Sequence, residues 1–243
     1  MKKFPAIILI ICILCTLLPS AAAEPAADKY GNCVSEEYMP GYERCMQIYE
    51  TLSEYFSNPV AVCSIMGNMA RESRMCPWRY EGDDSESYAV SKAFAEVVNS
   101  DLKAPTRETR YYFSKFAVNL DNRTGFGLCQ WTALGRKELL YDMAVETGLD
   151  IDDVTLQCQF LIWEMQVRYT ELTEMMEEQT DSLLCLQYFM NGYEKAYSNM
   201  ADLYRRHEAA EEFLCLFAPE YASLEKYKEL SADELLEILD IVE

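Results

Sequence analysis

The sequence is poor in histidine, in basic residues and in long apolar runs. Its one histidine, His207, lies in Arg205-Arg206-His207-Glu208, where we expect an exposed position on a late helix. Zinc amidases and endopeptidases usually need more than one histidine, and cysteine peptidases need one placed beside the nucleophile. Cleavage of a peptide bond is therefore a poor fit, and chemistry based on carboxyl groups remains.

The longest apolar run is at the N-terminus, and it is too short to span a membrane. Residues 6–18 are apolar except for Thr16, follow Lys2-Lys3 and precede Ala21-Ala22-Ala23. A bilayer span needs about 20 apolar residues, so residues 1–23 are expected to be a secretory signal peptide. We therefore predict a secreted or cell-envelope protein with no stable membrane insertion after cleavage.

Basic residues are scarce beside the acidic ones. The 21 Lys and Arg include Lys2 and Lys3 of the leader, so 19 remain against 41 Asp and Glu, a net charge of −22. Nucleic acids are bound by clustered Lys and Arg, so no nucleic-acid partner is expected. Such acidity favours solubility and self-repulsion, and a monomer is expected.

The mature chain has eight cysteines, none of them in a Cys-x-x-Cys motif. An even number in an exported chain suggests disulfides, although the sequence does not define the pairs. Without such a motif a zinc site is improbable, and we expect neither a metal nor another cofactor.

Apolar spacing predicts a mainly helical protein. Repeats of three and four residues predict helices over about 41–54, 60–72, 93–98, 133–148, 156–167, 182–188, 200–217 and 232–242. Asn58-Pro59 offers a cap residue and a first-turn proline for the second helix, and Gly148 should close the fourth.

A small β element and three chain segments complete the predicted organisation. The aromatic stretch at 111–120, followed by turn-rich residues 121–127, suggests a β-hairpin. We expect a linker or N-terminal arm at 24–40, one domain at 41–217 and a helical C-terminal extension at 218–243.

Glu72 is the first candidate for chemistry, because it is predicted near the C-terminal end of a helix. That end carries a partial negative charge, which favours the protonated form of a carboxyl group. A general acid must hold a proton near neutral pH, so the position suits that role. Arg71 and Arg74 are expected to point away from Glu72.

The second candidate is the segment Gly125-Phe126-Gly127-Leu128-Cys129-Gln130-Trp131-Thr132. Glycines on both sides of Phe126 allow the backbone to approach a ligand closely. Gln130 offers an amide to a sugar hydroxyl or acetamido group, and Trp131 either stacks on a sugar or fills the core. Asp121, four residues before Gly125, is a possible second carboxylate.

Taken together, these motifs resemble the phage tail-associated lysozymes, from about Tyr42 to Tyr197. The resemblance rests on Asn58-Pro59, Met66-Gly67-Asn68-x-x-x-Glu72-Ser73, the Gly125–Thr132 segment, Arg136-Lys137 and Phe160-Leu161-x-x-Glu164. It implies an α+β lysozyme-like fold with a helical lobe, a small β-hairpin lobe and a cleft that binds the glycan strands of peptidoglycan.

The resemblance also implies roles for individual residues. Glu72 falls on the catalytic acid of the family. Tyr193 lies near a Tyr-Glu-Arg-Pro-like sequence of the relatives, where this chain has Tyr193-Glu194-Lys195-Ala196. The residues expected at the substrate cleft are Gly125, Phe126, Gly127, Gln130, Trp131 and Tyr193. The more distant goose-type lysozymes have an Asp where Asp121 stands and a second Asp where this chain has Thr132.

The implied activity is cleavage of the β-1,4 bond between N-acetylmuramic acid and N-acetylglucosamine. Water activated through Asp121 would give hydrolysis, whereas attack by the C6 hydroxyl of the sugar would give a 1,6-anhydro product. The alternative is an inactive lysozyme fold that binds or supports the cell wall; it is motivated by Thr132 in place of the second Asp, by the net charge of −22 and by the altered Tyr193 segment, whereas the retained Glu72 argues for activity. A disulfide-rich binding module unrelated to glycans is a third reading.

Overall fold

The computed structural model describes residues 39–83, 88–116, 124–195 and 200–241. Its helices are α1 Met39–Ser53, α2 Pro59–Ser73, α3 Ala89–Leu102, α4 Arg107–Lys115, α5 Leu134–Thr147, α6 Val154–Arg168, α7 Thr170–Glu177, α8 Ser182–Phe189, α9 Met200–Phe217, α10 Glu225–Lys228 and α11 Ala232–Leu239. A π-helical turn, Met190–Glu194, continues α8, and a 3-10 turn, Pro219–Tyr221, follows α9. The predicted mainly helical class is confirmed.

Helix α2 is the central helix of the fold. Twelve of its fifteen residues are buried, and it packs against α9, α8 and α1. It begins as predicted, because the Asn58 side chain accepts a hydrogen bond from the Val60 N–H and Pro59 is the first helical residue. It ends at Ser73, after which Arg74 adopts a left-handed conformation. Glu72 therefore lies in the last turn, at the negative end of the helix dipole.

Gly67 allows α2 and α9 to pack at unusually short range. A Cβ atom on Gly67 would lie 2.6 Å from the Arg206 carbonyl oxygen, 2.7 Å from the Ala210 nitrogen and 2.8 Å from the Ala210 Cβ. Only glycine fits without a shift of one backbone. This close approach brings Arg206 of α9 to the end of α2 that carries Glu72.

The predicted β-hairpin is wrong in its first half. Residues 111–115 belong to α4 rather than to a strand. Thr106 caps this helix by accepting the Thr109 N–H, and the Thr109 hydroxyl accepts the Thr106 N–H in return. This reciprocal capping supports a helix that the β-propensity of Tyr111 and Tyr112 does not suggest.

In the part of the chain that the structure describes, β pairing is limited to one isolated antiparallel bridge, between Tyr80 and Phe126. The rest of the expected hairpin, including Asp121, falls on residues 117–123, which lie outside the described residues. The bridge joins the loop after α2 to the Gly125–Thr132 segment.

The expectation of disulfides is corrected for the seven cysteines among the described residues. All seven side chains are buried thiols that no disulfide joins: Cys45, Cys63, Cys76, Cys129, Cys158, Cys185 and Cys215. They fill apolar positions, where cysteine packs as a small hydrophobic residue. Burial raises the pKa of Cys45 and Cys185 to about 12 and that of Cys76 to about 11, so these thiols resist ionisation. Cys33 lies outside the described residues.

His207 is not the exposed helical residue that we expected. Its side chain is only 12% exposed, its Nε2 lies 2.9 Å from the Ser182 hydroxyl, and Glu211 is one turn away. Glu211 also accepts the backbone N–H groups of Ser223 and Leu224 at 2.6 and 2.8 Å. Burial alone would raise the pKa of Glu211, but hydrogen bonds with the side chains of His207 and Ser182, together with the two backbone hydrogen bonds, lower it to about 2.

The C-terminal helices pack on the same hydrophobic core as the rest of the fold. Leu235, Leu236 and Leu239 of α11 are buried in that core, and α10 and α11 both contact α9. Within the described ranges, no helix is both long enough and apolar enough to cross a membrane.

Candidate active site

Glu72 has a partly exposed carboxyl group that is held by an arginine. Its side chain is 22% exposed, and Arg206 Nη1 donates to its Oε1 at 2.7 Å. The Nε atom of Arg206 pairs with Asp202 at 2.9 Å. Arg74 points away, as predicted, and pairs with Asp240 at 2.7 Å. Glu72 thus has access to solvent and, among the described residues, one direct cationic partner.

Arg79 connects the end of α2 to the Gly125–Thr132 segment. Its side-chain Nη1 donates to the Glu72 carbonyl oxygen at 3.1 Å. Its own carbonyl oxygen accepts the Gly127 N–H at 2.8 Å and the Gln130 Nε2 at 3.1 Å. The two sequence motifs, about fifty residues apart, are therefore joined through one residue.

The turn at Gly127 depends on glycine and on the buried amide of Gln157. Gly127 has a φ of +78°, and a Cβ there would lie 2.5 Å from Gln157 Oε1. That oxygen accepts the Leu128 N–H at 2.8 Å, while Gln157 Nε2 donates to the carbonyl oxygens of Pro77 and Ile151. Gln157 thereby fixes the turn against the loop that follows α2.

Most of the Gly125–Thr132 segment is buried. Gly125, Phe126 and Gly127 lie inside, whereas Gln130 is partly exposed and Thr132 is exposed. Gln130 has a left-handed φ of 45°, and its Nε2 also donates to the Gly127 carbonyl oxygen at 2.9 Å. Among the residues expected to contact substrate in this segment, Gln130 has the accessible side chain.

Trp131 and Tyr193 meet in a buried hydrogen-bond network. Trp131 has no exposed surface, and its Nε1 donates to the Tyr193 hydroxyl at 2.9 Å. That hydroxyl donates to Glu164 at 2.7 Å, and Arg136 binds both oxygens of Glu164. The Arg136 guanidinium also lies 4.5 Å from the centre of the Tyr193 ring.

Trp131 was expected either to stack on a sugar or to fill the core, and in the structure its indole fills the core. The hydrogen-bond network links the Gly125–Thr132 segment, α5, α6 and the π-helical turn, so its members hold these elements in register. Contact of Trp131 or Tyr193 with substrate stays a prediction; in the structure their polar atoms are used inside the protein.

Three polar residues near Glu72 were not singled out by the sequence analysis as site residues. Asn68 Nδ2 donates to Glu194 Oε1 at 3.0 Å, and Arg206 Nη1 donates to Asn68 Oδ1 at 2.6 Å. Burial and, after it, the nearby Glu72 charge raise the pKa of Glu194 to about 8. The spacing Leu203, Arg206, Ala210 could have indicated that Arg206 faces inward, and Glu194 stands in the Tyr193 segment that the resemblance had already marked.

Metal binding has no support in the described ranges. They contain no group of three or more His, Cys, Asp or Glu side chains arranged to hold an ion.

Comparison with known proteins gives one match, to a protein-family model. The model of the family described as phage tail lysozyme matches residues 43–217. The chain belongs to the phage tail lysozyme family. No curated protein and no solved structure matches it. The resemblance inferred from the motifs is therefore confirmed.

Membership in this family defines the general activity. Phage tail lysozymes are lysozyme-like cell-wall hydrolases, so glycoside hydrolysis is the class of reaction and peptidoglycan is the class of substrate. The matched residues contain Glu72, Asn68, Glu194 and Arg206, and they end with the last residue of α9.

Proposed function

We propose that this protein is an exported glycosidase that cleaves the β-1,4 bond between N-acetylmuramic acid and N-acetylglucosamine, with Glu72 as the general acid. The observation that carries the proposal is the position of Glu72. It is a partly exposed carboxyl group at the end of α2, and Arg79 joins its backbone to the Gly125–Thr132 segment.

In this mechanism the proton of the acid passes to the glycosidic oxygen, and the bond from that oxygen to C1 of the muramic acid breaks. The oxygen of water then bonds to C1, and a proton of that water passes to a carboxylate. We propose Asp121 as the water-activating group; it lies outside the described residues. Intramolecular attack by the C6 hydroxyl in place of water would give a 1,6-anhydro product.

The proposed substrate surface includes Gln130, whose side chain is partly exposed beside Arg79. Gly125, Phe126, Gly127, Trp131 and Tyr193 support the proposal by shaping and fixing that surface. Export rests on residues 1–23, which have the pattern of a secretory signal peptide.

One observation favours the alternative of a catalytically inactive, wall-binding protein. Arg206 donates to the Glu72 carboxyl at 2.7 Å, so the group proposed to donate a proton to substrate is held in an ion pair. The two functions differ in what they do to peptidoglycan. A wall-binding protein sediments with the polymer and releases nothing from it.

The test is mass spectrometry of the muropeptides released from purified peptidoglycan by the mature protein, with Glu72→Gln in parallel. We expect products with reducing muramic acid from the wild type and none from the variant. Products with 1,6-anhydro-muramic acid would show that the reaction is transglycosylation rather than hydrolysis. Absence of release by the wild type across several wall types, with retained sedimentation, would favour the inactive fold.

A further inference from the structure

Glu194 lies beside Glu72 in one connected arrangement of polar groups. Asn68 precedes Glu72 by one helical turn, and its side-chain nitrogen donates to Glu194 Oε1 at 3.0 Å. The oxygen of the same amide accepts from Arg206 Nη1 at 2.6 Å, and that nitrogen also donates to Glu72 Oε1 at 2.7 Å. Asn68 and Arg206 together therefore fix the two carboxyl groups relative to each other.

The π-helical turn Met190–Glu194 directs consecutive side chains to different networks. Tyr193 hydrogen-bonds Trp131 and Glu164, whereas Glu194 hydrogen-bonds Asn68. The turn ends at Lys195, which has a left-handed φ of 54°. Such π-helical turns occur frequently at functional sites.

The charges around Glu194 come from several elements. The groups that act on it are Glu72 and Asn68 of α2, Arg136 of α5 and Arg206 of α9, and its own charge acts in turn on the Cys129 thiol and the Tyr193 hydroxyl. Arg136 is already bound to Glu164, and Arg206 is shared with Asp202. Burial and, after it, the Glu72 charge raise the pKa of Glu194, while Arg136, Arg206 and the Asn68 hydrogen bond lower it, and the net result is a pKa of about 8.

We propose that Glu194 is a positioning residue for the catalytic acid: its carboxyl group, held beside Glu72 by Asn68 and Arg206, sets the alkaline limit of activity. The inference rests on the proposed function of Glu72. Of the two carboxyl groups, Glu72 belongs to the residue that Arg79 joins to the Gly125–Thr132 segment, so it delivers the proton to the glycosidic oxygen.

Coupling between the two carboxyl groups reconciles the Arg206 contact with an acid function. Two carboxyl groups that ionise next to each other repel, so the second proton leaves the pair only at higher pH. At neutral pH the pair then holds one proton and carries one negative charge opposite Arg206. Without the Glu194 carboxyl group there is no second site for this proton, and Arg206 faces Glu72 alone.

The decisive experiment is the pH profile of kcat/KM for peptidoglycan release by the wild type, Glu194→Gln and Glu194→Asp. Glutamine keeps an oxygen that accepts the Asn68 hydrogen bond, but it cannot ionise. We expect the alkaline limb of Glu194→Gln to move to lower pH by about one unit or more. Glu194→Asp keeps the charge, so its limb should lie nearer to that of the wild type.

Glu212→Gln is the matched control. Burial raises the pKa of Glu212 to about 7, and this carboxyl contacts Tyr227 of α10 rather than Glu72. The control removes a buried carboxyl group of similar character outside the site, so its profile should match that of the wild type. A limb that moves equally in Glu212→Gln would overturn the proposal, since the shift would then reflect net charge.

Glu72→Gln separates this inference from the proposed function. If Glu72→Gln is as active as the wild type, the proposed function fails and Glu194 loses its assigned role with it. If Glu72→Gln is inactive and Glu194→Gln keeps the wild-type alkaline limb, the inference alone is wrong and Glu194 is merely structural.

A second measurement does not depend on the folding of a Glu194 variant. In protein labelled with carbon-13 at the glutamate carboxyl groups, we expect the Glu194 resonance of the wild type to titrate near pH 8. The Glu212 resonance is identified separately, because it disappears in Glu212→Gln. The midpoint of the Glu194 resonance should fall in Glu72→Gln, because the charge of Glu72 is gone. A midpoint that stays unchanged would refute the coupling.

Discussion

Replacing Gly67 by alanine tests whether the close packing of α2 and α9 builds the site. The added Cβ would lie 2.6 Å from the Arg206 carbonyl oxygen, so the helices must separate by about 0.8 Å to reach an ordinary 3.4 Å contact. Overpacking of this kind costs about 1–3 kcal/mol, and we take the upper value because backbone atoms cannot rotate away. Alanine regains about 1 kcal/mol of helix propensity, which leaves a net loss of about 2 kcal/mol.

Gly135→Ala provides the control for this prediction. Gly135 lies in α5 and would have no atom within 4 Å of an added Cβ, so its substitution should stabilise the protein by up to about 1 kcal/mol. Urea unfolding of both variants measures the difference, which we expect to be about 3 kcal/mol. Peptidoglycan release should also fall in Gly67→Ala, because Arg206, which fixes Asn68 and Glu72 in place, moves with α9. Equal stability of the two variants would refute this account of Gly67.

Three further substitutions test other parts of the structure. Tyr193→Phe removes the hydroxyl between Trp131 and Glu164 and should lower the free energy of unfolding by about 1–3 kcal/mol in urea; an unchanged value would mean that the network adds no stability. Arg136→Met leaves the buried Glu164 with Arg168 as its remaining cation and should cost about 3–5 kcal/mol, measured in the same way; a loss below that of Tyr193→Phe would contradict the assignment. Burial raises the pKa of Glu212 from 4.5 to about 7, so the folded state holds this proton more tightly and the associated stability, complete below pH 4.5, is lost as the pH rises through 7. Glu212→Gln should therefore reduce the loss of stability between pH 5 and pH 8 by up to about 3 kcal/mol, at about 1.36 kcal/mol per unit; identical pH slopes for the two proteins would disprove it.

The parts of the fold that depend on local signals were predictable from the sequence. Asn58 and Pro59 define the start of α2 through contacts within one turn, and Gly148 ends α5 in the left-handed conformation expected of it. The apolar period of residues 200–217 predicted α9 with the bounds that the structure has. Such features need no knowledge of distant residues.

The parts that failed depend on competing local signals or on distant contacts. The aromatic run at 111–115 reads as a strand, but the Thr106 and Thr109 capping pair, which lacks the usual Glu or Gln, favours a helix. The disulfide prediction was based on the even number of cysteines and on the expected export of the chain. Neither observation says how far apart the cysteines lie, so they could not predict seven separate buried thiols among the described residues.

The environment of Glu72 shows the same limit for the candidate site. Glu72 and the Gly125–Thr132 segment could be found from the motifs. Arg206 reaches Glu72 across 134 residues, and Glu194 reaches Asn68 across 126. These contacts follow from helix packing at Gly67 and from the π-helical turn, neither of which the sequence pattern indicates.

The anchoring of residues 223–239 has a practical consequence for shortened forms of this protein. The family match stops at Phe217, which makes that residue an obvious place to truncate. Such a fragment would lack the two backbone N–H groups that donate to Glu211. It would also expose the part of the core that Leu235, Leu236 and Leu239 cover. The unit that can be expected to refold alone therefore extends to the end of α11, beyond the boundary at which family likeness ends.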